Sequence, residues 1–446
     1  MPNSVMSLSP APATGVPKRV LNAGQQAASD GFMSFLFSKD KEFNVSGPPG
    51  SGKSFWMAGC IDEVMPAYFD TCKLMGIKPE FDEVAMTATT NKAAAVVAEG
   101  TNRPTSTIHS FMNLKVTDDY STGQSRITQQ KGWKIHERKI IFIDECSMID
   151  SQLDRYIQEG THNCKIVYVG DRDQLTPVME GLSPIYKRPM PSFELTQQMR
   201  NNNQPALMAA CQQLRDTVRG GVFKPLLIVP GVIDLLEGPD MELALQHVFA
   251  QQTHEARILA YTNKRVVDYN NYIRGFRLLP GEYTQGEMLI NNNAIRMPTR
   301  MLSVEEEVEI VGQAAGTIKQ MISADVTLEL RLTDLKSAIG DTFLKVPVPV
   351  DREHFSALID YYRRRKDWST YFKLRGEFPD LRPRDAATLY KAQGSTHECV
   401  FIDLEDVSSC RNADQAARML YVGLSRARTR IFLYGALAAK FGGLVF

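Results

Sequence analysis

Residues 47–54, Gly47-Pro-Pro-Gly-Ser-Gly-Lys-Ser54, follow the pattern Gly-x-x-x-x-Gly-Lys-Ser/Thr of a phosphate-binding loop. The glycines allow backbone N–H groups to curl around phosphates, and the helix expected to follow adds the partial positive charge of its N-terminus. We expect Lys53 to reach the β- and γ-phosphates of ATP and the Ser54 hydroxyl to bind Mg²⁺. A chance turn would not need the apolar strand before the motif. The predicted ATP-binding residues of this loop are Gly47, Pro48, Pro49, Gly50, Ser51, Gly52, Lys53 and Ser54.

Two consecutive carboxylates end the apolar run Ile140-Ile-Phe-Ile-Asp144-Glu145. Downstream of a phosphate loop, the first carboxylate typically completes the Mg²⁺ shell and the second activates the attacking water as a general base. Taken alone, the pair could equally face solvent at the end of a strand, but the preceding loop favours the catalytic interpretation. Together the two motifs predict a P-loop ATPase, a site that many unrelated functions share.

Short apolar runs rich in β-branched and aromatic residues alternate with helical patterns along the chain. The predicted strands are Phe43–Ser46, Val84–Ala88, Ile140–Ile143, Ile166–Val169, Ile258–Tyr261, Val400–Leu404 and Ile431–Tyr434. Strands that alternate with helices indicate βαβ units and parallel sheets. Because these strands fall into two groups along the chain, the sequence predicts an α/β protein with two lobes.

Two segments interrupt this alternation. The polar segment 112–132 predicts a β-hairpin inserted into the first lobe, and alternating patterns over 286–384 predict a small β insert in the second. The expected domains are a disordered tail over 1–18, a first lobe over 19–195 with its hairpin at 112–132, a second lobe over 196–285 and 385–446, and the β insert over 286–384.

Composition excludes some classes of protein but does not identify a binding partner. Lys plus Arg and Asp plus Glu both number 51 in the 446 residues, so the formal net charge is zero. A static duplex-binding protein is usually basic, whereas a motor needs only one charged groove and must also release its strand. No apolar run approaches the ~20 residues of a membrane span. The seven cysteines form no Cys-x-x-Cys pair, which fits a reducing compartment. We therefore expect a cytoplasmic protein with no membrane partner.

A series of further motifs resembles the superfamily 1 helicases, in that family's order and over nearly the whole chain. The matching segments are Leu21-Asn-Ala-Gly-Gln25-Gln26 (Q motif), Ser106-Thr107-Ile-His109-Ser110 (motif Ib), Asp144-Glu-Cys-Ser-Met148 (motif II), Gly170-Asp171-Arg-Asp-Gln174-Leu-Thr-Pro177 (motif III), Glu194-Leu-Thr-Gln-Gln-Met-Arg200 (arginine motif), Thr388-Leu-Tyr-Lys391-Ala-Gln393-Gly394-Ser395 (motif V) and Tyr421-Val-Gly-Leu-Ser425-Arg426-Ala427-Arg428 (motif VI). The small hairpin and the modest β insert are similar to those of the RecD-like, 5′→3′ branch of that family.

The resemblance implies two RecA-like P-loop lobes, with the hairpin in the first and an SH3-like β insert in the second. It also implies that Gln25 reads the adenine edge, that Gln174 senses the γ-phosphate and that Gly394 contacts ATP. Arg200 and Arg426 would act as arginine fingers, which neutralise charge in the transition state. Because Arg426 would come from the second lobe, lobe closure would couple hydrolysis to motion. For Arg426, an exposed charge on a C-terminal helix is the alternative.

The same resemblance predicts a nucleic-acid track across both lobes. Hydroxyl and amide groups can bond phosphates without stopping a stepping motor. The candidate DNA-binding residues are Thr90, Asn91, Thr107, His109, Thr262, Asn263, Ser395 and Thr396. Each has a structural alternative as a helix cap, a turn residue or a packed side chain. The segment Tyr361–Arg375 interleaves basic and aromatic residues; base stacking is one interpretation, and an amphipathic helix with inward aromatics is the favoured one.

The hairpin over 112–132 would be the strand-separating pin, to which an aromatic side chain contributes in this family; here the tip holds Tyr120. We predict an ATP- and Mg²⁺-dependent DNA helicase that moves 5′→3′ on single-stranded DNA and opens duplexes at single-strand/double-strand junctions. We expect a monomer that works with replication or single-strand-binding proteins. Three alternatives stay open: a superfamily 1 RNA helicase, a translocase that displaces bound proteins without unwinding, and a P-loop switch without motor activity.

Overall fold

A computed structural model describes residues 5–7, 19–122, 124–177, 180–197, 204–323 and 326–446. Contacts divide the chain into two compact units, each of which is built from separate stretches of sequence. The first unit consists of Met1–Lys115, Ile127–Val222 and Ala417–Arg428, and the second consists of Val116–Arg126, Phe223–Ala416 and Thr429–Phe446.

The helices within the described residues are mostly short, and several begin at a residue whose side chain caps them. The α-helices are α1 Ala23–Phe37, α2 Lys53–Gly59, α3 Met65–Leu74, α4 Asn91–Thr101, α5 Ile108–Phe111, α6 Ser151–Glu159, α7 Pro205–Gly220, α8 Gly238–Val248, α9 Asn263–Phe276, α10 Arg352–Arg364, α11 Trp368–Glu377, α12 Leu389–Ala392, α13 Leu404–Ser408 and α14 Ala413–Leu424. A π-helical segment, Cys60–Val64, joins α2 to α3, and 3-10 turns lie at Cys146–Met148, Pro184–Lys187 and Ala439–Phe441.

The N-terminal half of the chain forms a mainly parallel seven-stranded sheet and two separate two-stranded sheets. Its strands are β1 Val5–Ser7, β2 Glu42–Ser46, β3 Glu83–Ala88, β4 Ser106–Thr107, β5 Leu114–Asp119, β6 Gln124–Gln129, β7 His136–Glu137, β8 Lys139–Asp144, β9 Thr161–His162, β10 Lys165–Gly170 and β11 Ser192–Glu194. The large sheet has the order β1-β3-β8-β10-β2-β11, with β4 beside β3. Its interior strands β8 and β10 are buried along nearly their full length, which explains their continuous apolar sequences.

The expectation of a disordered tail over 1–18 is wrong for residues 5–7. Val5–Ser7 pairs antiparallel with Glu83–Ala85 at the edge of the sheet. Val5 and Met6 pack against the two apolar clusters on either side of this sheet. An edge strand offers unpaired backbone groups, and an alternating apolar segment can bind them even in a Pro- and Ser-rich context. The other residues of the predicted tail lie outside the described part of the chain.

The first unit extends to Val222, beyond the domain boundary predicted after residue 195. The reason is helix α7, whose Arg215 forms ion pairs with Asp173 and Glu194 of that unit, at 3.0 and 2.7 Å. Arg219, one turn further along, pairs with the same two carboxylates. Because both Arg215 and Asp173 are buried, removing either would break part of a shared ion-pair network in the interior.

The second unit contains a five-stranded sheet of the order β13-β25-β24-β14-β23. The strands of the C-terminal half are β12 Leu226–Leu227, β13 Ile233–Leu236, β14 Ala256–Ala260, β15 Met288–Asn291, β16 Ile295–Arg296, β17 Met301–Leu302, β18 Glu307–Gln313, β19 Ile318–Ser323, β20 Val326–Ser337, β21 Thr342–Pro349, β22 Leu381–Pro383, β23 Ala386–Thr388, β24 His397–Asp403, β25 Ala427–Tyr434 and β26 Leu444–Val445. Strand β14 pairs parallel with β23 and β24, and β13 pairs parallel with β25.

Strands β15 and β18–β22 form a six-stranded sheet whose pairs are antiparallel. Helices α10 and α11 pack against this sheet through Phe355, Leu358 and Leu374. The basic-aromatic segment Tyr361–Arg375 therefore forms the end of α10, a turn and most of α11. Tyr362 and Phe372 point inward, as the amphipathic interpretation requires.

Candidate nucleotide and nucleic-acid sites

The loop predicted to bind phosphates lies between strand β2 and helix α2, in the context that the motif requires. The Gly47 N–H donates to the Gly170 carbonyl at 3.0 Å. Gly50 and Gly52 have φ angles of 80° and 81°, in the left-handed region that favours glycine. A Cβ atom at Gly52 would also contact Gln25 Nε2, so a side chain there would displace the Gln25 amide from the loop.

Lys53 is the first residue of α2, and its ammonium bonds to the loop that precedes it. Its Nζ donates to the carbonyls of Gly47 at 2.7 Å and Pro48 at 3.1 Å. The charge is thus held within the loop, which is where the motif assigns the nucleotide phosphates. Ser51 lies fully buried in the same loop, and its hydroxyl has no hydrogen-bond partner among the described residues.

Asp144 ends strand β8 and is 8% exposed. Burial, together with the neighbouring Glu145 carboxylate, raises the pKa of Asp144 to about 7, whereas the charge of Lys53 acts in the opposite direction. Its Oδ1 atom is buried without a hydrogen-bond partner among the described residues. A buried carboxylate that lacks a donor is destabilised when ionised, and a nearby cation would relieve that cost.

Glu145 follows Asp144 with φ 53° and ψ 40°, a left-handed backbone that is unfavourable for a residue with a side chain. Two hydrogen bonds to its carbonyl hold this conformation, one from the Thr89 hydroxyl at 3.3 Å and one from the Met148 N–H at 3.1 Å. Backbone strain of this kind often occurs where a side chain must take a fixed direction at a reactive site.

The chemistry of this site fits Mg²⁺ held jointly by the protein and a nucleotide. Among the described residues, no group of three or more His, Cys, Asp or Glu side chains could hold a metal ion by itself. Mg²⁺ is usually bound through one or two carboxylates together with phosphate oxygens and water. Asp144, with its unpartnered oxygen, and the Ser54 hydroxyl are the protein ligands that the sequence predicts.

Asp171 is a fully buried carboxylate at the end of β10, and it joins motif III to motif VI. Its Oδ2 accepts hydrogen bonds from the Tyr421 hydroxyl at 2.6 Å and from Gln174 Nε2 at 3.3 Å. Burial raises the pKa of Asp171, whereas the Tyr421 hydrogen bond lowers it. Gln174 Oε1 is buried without a hydrogen-bond partner among the described residues.

Helix α14 makes a second contact with motif III through Arg418. Its Nη1 donates to the carbonyls of Arg172 and Gln174, both at 2.8 Å. Arg418 and Tyr421 are three positions apart and therefore lie on the same face of the helix. Sequence reasoning included neither residue among the site residues. The helical spacing back from Tyr421 in motif VI is the one signal that points to Arg418.

The two predicted arginine fingers have different outcomes. Arg426 is buried in the first unit, where its Nε donates to the Val422 carbonyl and its Nη2 to the Ser425 hydroxyl. The exposed-charge alternative for Arg426 is therefore wrong, since its side chain is only 3% exposed. The other predicted finger, Arg200, lies outside the described residues.

Gln25 contacts the phosphate loop. Its Nε2 donates to the Ser51 carbonyl at 3.3 Å, and its Oε1 accepts from the Asn22 N–H at 3.1 Å in a capping box at the start of α1. An amide has two N–H donors and two acceptor lone pairs, so each end keeps capacity for a further hydrogen bond. The predicted adenine contact remains compatible with this placement.

Three of the predicted DNA-binding hydroxyls cap helices. Thr90, Thr107 and Thr262 each accept a hydrogen bond from a backbone N–H two or three residues into α4, α5 and α9. Asn91 and Asn263 are the first residues of α4 and α9. The capping interpretation is therefore correct for the threonines, and the N–H groups beside them could still bind a phosphate.

The predicted DNA-binding residues of the second unit lie in different surroundings. Asn263 lines a cavity of about 1270 Å³ between α9 and α10. Thr262 also donates to Asp406 at 2.9 Å, which ties it to α13. Ser395 is buried and donates to the Ala392 carbonyl, whereas Gly394 before it has a φ angle of 77° at the turn after α12. Thr396 is partly buried and lies directly before strand β24.

His109 lies on α5 in the first unit and is partly buried. Burial lowers the pKa of His109, and Asp150 acts in the opposite direction. A neutral imidazole would contact nucleic acid through hydrogen bonds rather than charge.

Comparison with known proteins agrees with this site. Residues 20–224 match a family model described as an AAA domain, and residues 385–434 match a UvrD-like helicase C-terminal domain. The solved structure of a Bacteroides Pif1 helicase with ADP-AlF3 and single-stranded DNA is similar, with a TM-score of 0.52 at 13% identity, over 96% of this chain and 95% of that one. A structure of Pif1 helicases at forked duplex DNA gives 0.51 at 14% identity, over 96% and 94% of the two chains.

Fold and site thus define the class: an α/β protein with two RecA-like lobes that resembles superfamily 1 helicases, as predicted. Among individual proteins, the chain is similar to the ATP-dependent DNA helicase Dda of Enterobacteria phage T4. The two are 22% identical over 457 residues, which cover 92% of this chain and 98% of Dda. A protein of Acanthamoeba polyphaga mimivirus is also 22% identical, over 73% of this chain and 81% of its own length. None of the described helices is long and apolar enough to cross a membrane.

Proposed function

We propose that this protein is an ATP-dependent DNA helicase that moves 5′→3′ along single-stranded DNA and separates duplex strands. One observation carries the proposal. The C-terminal segment 417–428 belongs to the same compact unit as the phosphate loop and contacts motif III through Tyr421 and Arg418. A simple nucleotide switch needs no such distant segment at its site, whereas a motor must link nucleotide chemistry to a second part of the chain. The similarity to Dda supports the same conclusion.

The predicted residues divide the hydrolysis between them. Lys53 would bind the β- and γ-phosphates, while Asp144 and Ser54 would hold Mg²⁺, which supplies charge neutralisation at the phosphates when bound. Glu145 would accept the proton of the attacking water. Gln174 would sense the γ-phosphate, and Arg200 and Arg426 would neutralise the charge that develops on the transferring group.

Unwinding requires an element that splits the duplex, and the hairpin β5–β6 is braced for that task. At its base, Gln130 Nε2 donates to the Leu114 carbonyl at 2.9 Å, and the Tyr156 hydroxyl donates to the Ile127 carbonyl at 3.1 Å. At its tip, the Tyr120 ring packs against Phe372 of α11. Within the second unit, this ring contact supports the tip when a duplex presses against it.

Oligomeric state, DNA substrate, partner proteins and location in the cell complete the proposal. We infer that the protein acts as a monomer at junctions of single- and double-stranded DNA, together with replication or single-strand-binding proteins. Its site of action would be the cytoplasm of a bacterial or phage-infected cell. Sedimentation with and without a tailed duplex would test the monomer, which predicts one protein per junction at saturation.

The test of the function is strand displacement on two matched DNA duplexes, one with a 5′ single-stranded tail and one with a 3′ tail. We expect unwinding of the 5′-tailed duplex alone, in the presence of ATP and Mg²⁺. Lys53→Ala serves as the blank, because it removes the phosphate-binding charge and should abolish hydrolysis. Preference for the 3′ tail would refute the polarity. No unwinding of either duplex, with DNA-stimulated ATPase intact, would refute the helicase and favour a translocase.

A further inference from the structure

Three adjacent cations lie where α10 ends and the turn to α11 begins: Arg364, Arg365 and Lys366, which we call the basic turn. All three side chains are exposed, and none has an ion pair among the described residues. The preceding Arg363 differs, since it pairs with Asp360 at 2.9 Å. Three unpaired cations in succession repel one another, so the turn would gain from binding an anion.

The basic turn lies close to the tip of the hairpin. Within the second unit, the ring of Tyr120 contacts that of Phe372, with centroids 5.2 Å apart and an interplanar angle of 64°. Phe372 is the fifth residue of α11, ~6 Å of helical rise from Trp368, and Lys366 lies two positions before that helix begins. The turn and the tip are therefore less than about two Debye lengths apart at physiological salt, so charges on the turn act on DNA that meets the tip.

The aromatic residues around the turn are already engaged. Arg365 lies over the ring of Tyr361, 5.3 Å from its centroid, and donates to the Tyr361 hydroxyl. Trp368 packs edge-on against Tyr371 at 5.7 Å. A single strand without sequence preference is usually bound by aromatic rings on which bases stack. Here the rings contact the protein's own side chains, so the free feature of this surface is positive charge, which favours phosphate over bases.

We propose that the basic turn binds the phosphate backbone of the DNA duplex that enters at the hairpin tip. A duplex carries one negative charge per ~1.7 Å of its axis, about twice the density of a single strand. Duplex phosphates therefore suit a compact group of cations better than a single strand does. This inference rests on the proposed helicase function, because it assigns the surface to the substrate of the same hairpin.

The test compares the wild-type protein with the double variant Arg364→Gln/Lys366→Gln, which keeps the Arg365–Tyr361 contact. Dissociation constants would be measured by fluorescence anisotropy at several salt concentrations, for a 5′-tailed duplex and for its single-stranded tail alone. We expect weaker binding of the tailed duplex and a salt slope that is smaller by ~1.8, since each lost phosphate contact contributes ~0.9. Binding of the tail and DNA-stimulated ATPase should stay unchanged.

The matched control is Lys336→Gln/Lys345→Gln on strands β20 and β21 of the same insert. It removes the same number of exposed charges, and Lys345 has a positive φ, as Lys366 does. The control should bind both DNAs like the wild-type protein. Unchanged duplex binding in the test variant would overturn the inference, as would an equal loss for duplex and single strand, which would make the single strand the ligand. If the wild-type protein bound the duplex through the turn but never unwound it, the proposed function alone would fail.

Discussion

At the residue scale, Asp144 and Glu145 occupy different environments although they are adjacent. Asp144 is buried, with its pKa raised to about 7, and has an unpartnered oxygen. Glu145 follows the strand in a left-handed backbone conformation. Two neighbouring carboxylates with separate surroundings can take separate roles, one as a ligand of a cation and the other as a base.

This difference predicts the effect of Glu145→Gln. The amide keeps the shape of the side chain but accepts no proton, so hydrolysis should fall by ~10²–10⁴-fold, the usual contribution of a general base. Nucleotide affinity should stay within about twofold of wild type, because Lys53 and the loop are unaltered. Single-turnover hydrolysis and titration with a fluorescent ATP analogue would measure the two quantities. Loss of nucleotide binding would contradict the role of Glu145 as a base.

The hydrogen bond between Tyr421 and Asp171 gives a second prediction at this scale. Tyr421→Phe would deprive a buried carboxylate of a donor at 2.6 Å, which should lower the free energy of unfolding by ~1–3 kcal/mol. The ATPase rate should fall as well, because motif VI would lose a contact with motif III. Urea unfolding and steady-state ATPase assays would measure both.

Tyr272→Phe is the control for that variant, because Tyr272 is 37% exposed and its hydroxyl has no hydrogen bond among the described residues. Exposed substitutions of this kind usually change stability by less than ~0.5 kcal/mol. Equal stability of the Tyr421 and Tyr272 variants would show that the Asp171 contact is unimportant.

At the scale of elements, the contact between the hairpin tip and α11 predicts a separation of activities. Tyr120→Ala removes the ring that packs on Phe372 and should slow strand displacement by up to about tenfold, since an aromatic pair contributes ~0.5–1.5 kcal/mol. ATPase stimulated by single-stranded DNA should be unaffected, because the hairpin tip belongs to the second unit, whereas the phosphate loop and Asp144 belong to the first. Unwinding and ATPase assays run in parallel would measure the ratio of the two rates. Tyr120→Phe should restore that ratio to the wild-type value. Normal unwinding by the alanine variant would contradict the bracing role of the tip.

The elements of the fold differ in how far the sequence alone could predict them. The phosphate loop and the strand before Asp144 were predictable, because each depends on a short, contiguous pattern whose residues act together. The contact of Tyr421 with Asp171 was not, since 250 positions separate the two residues and no local pattern records their pairing. Likewise, Val5–Ser7 looked like part of a tail because composition averages over neighbours, whereas pairing with β3 depends on a few alternating side chains.

The place of α7 in the first unit could not be predicted for a similar reason. Its sequence shows an amphipathic helix near a lobe junction, but its place in the first unit depends on the ion pairs of Arg215 with Asp173 and Glu194. Ion pairs across long sequence separations leave no periodicity that a single sequence can reveal. The threonine caps show the opposite case, because a cap is local and its interpretation was available from the sequence.

At the scale of the whole molecule, the formal net charge of zero makes a prediction about salt. The candidate contacts with single-stranded DNA are hydroxyl, amide and imidazole groups, which release no counterions when they bind a phosphate. With two ionic contacts or fewer, the slope of log affinity against log salt should not exceed ~1.4 for a single strand. Raising salt from 50 to 200 mM should then weaken binding about sevenfold at most. Anisotropy titrations with oligo-dT would measure the slope, and a value of four or more would mean that a basic track holds the strand in place of these neutral groups.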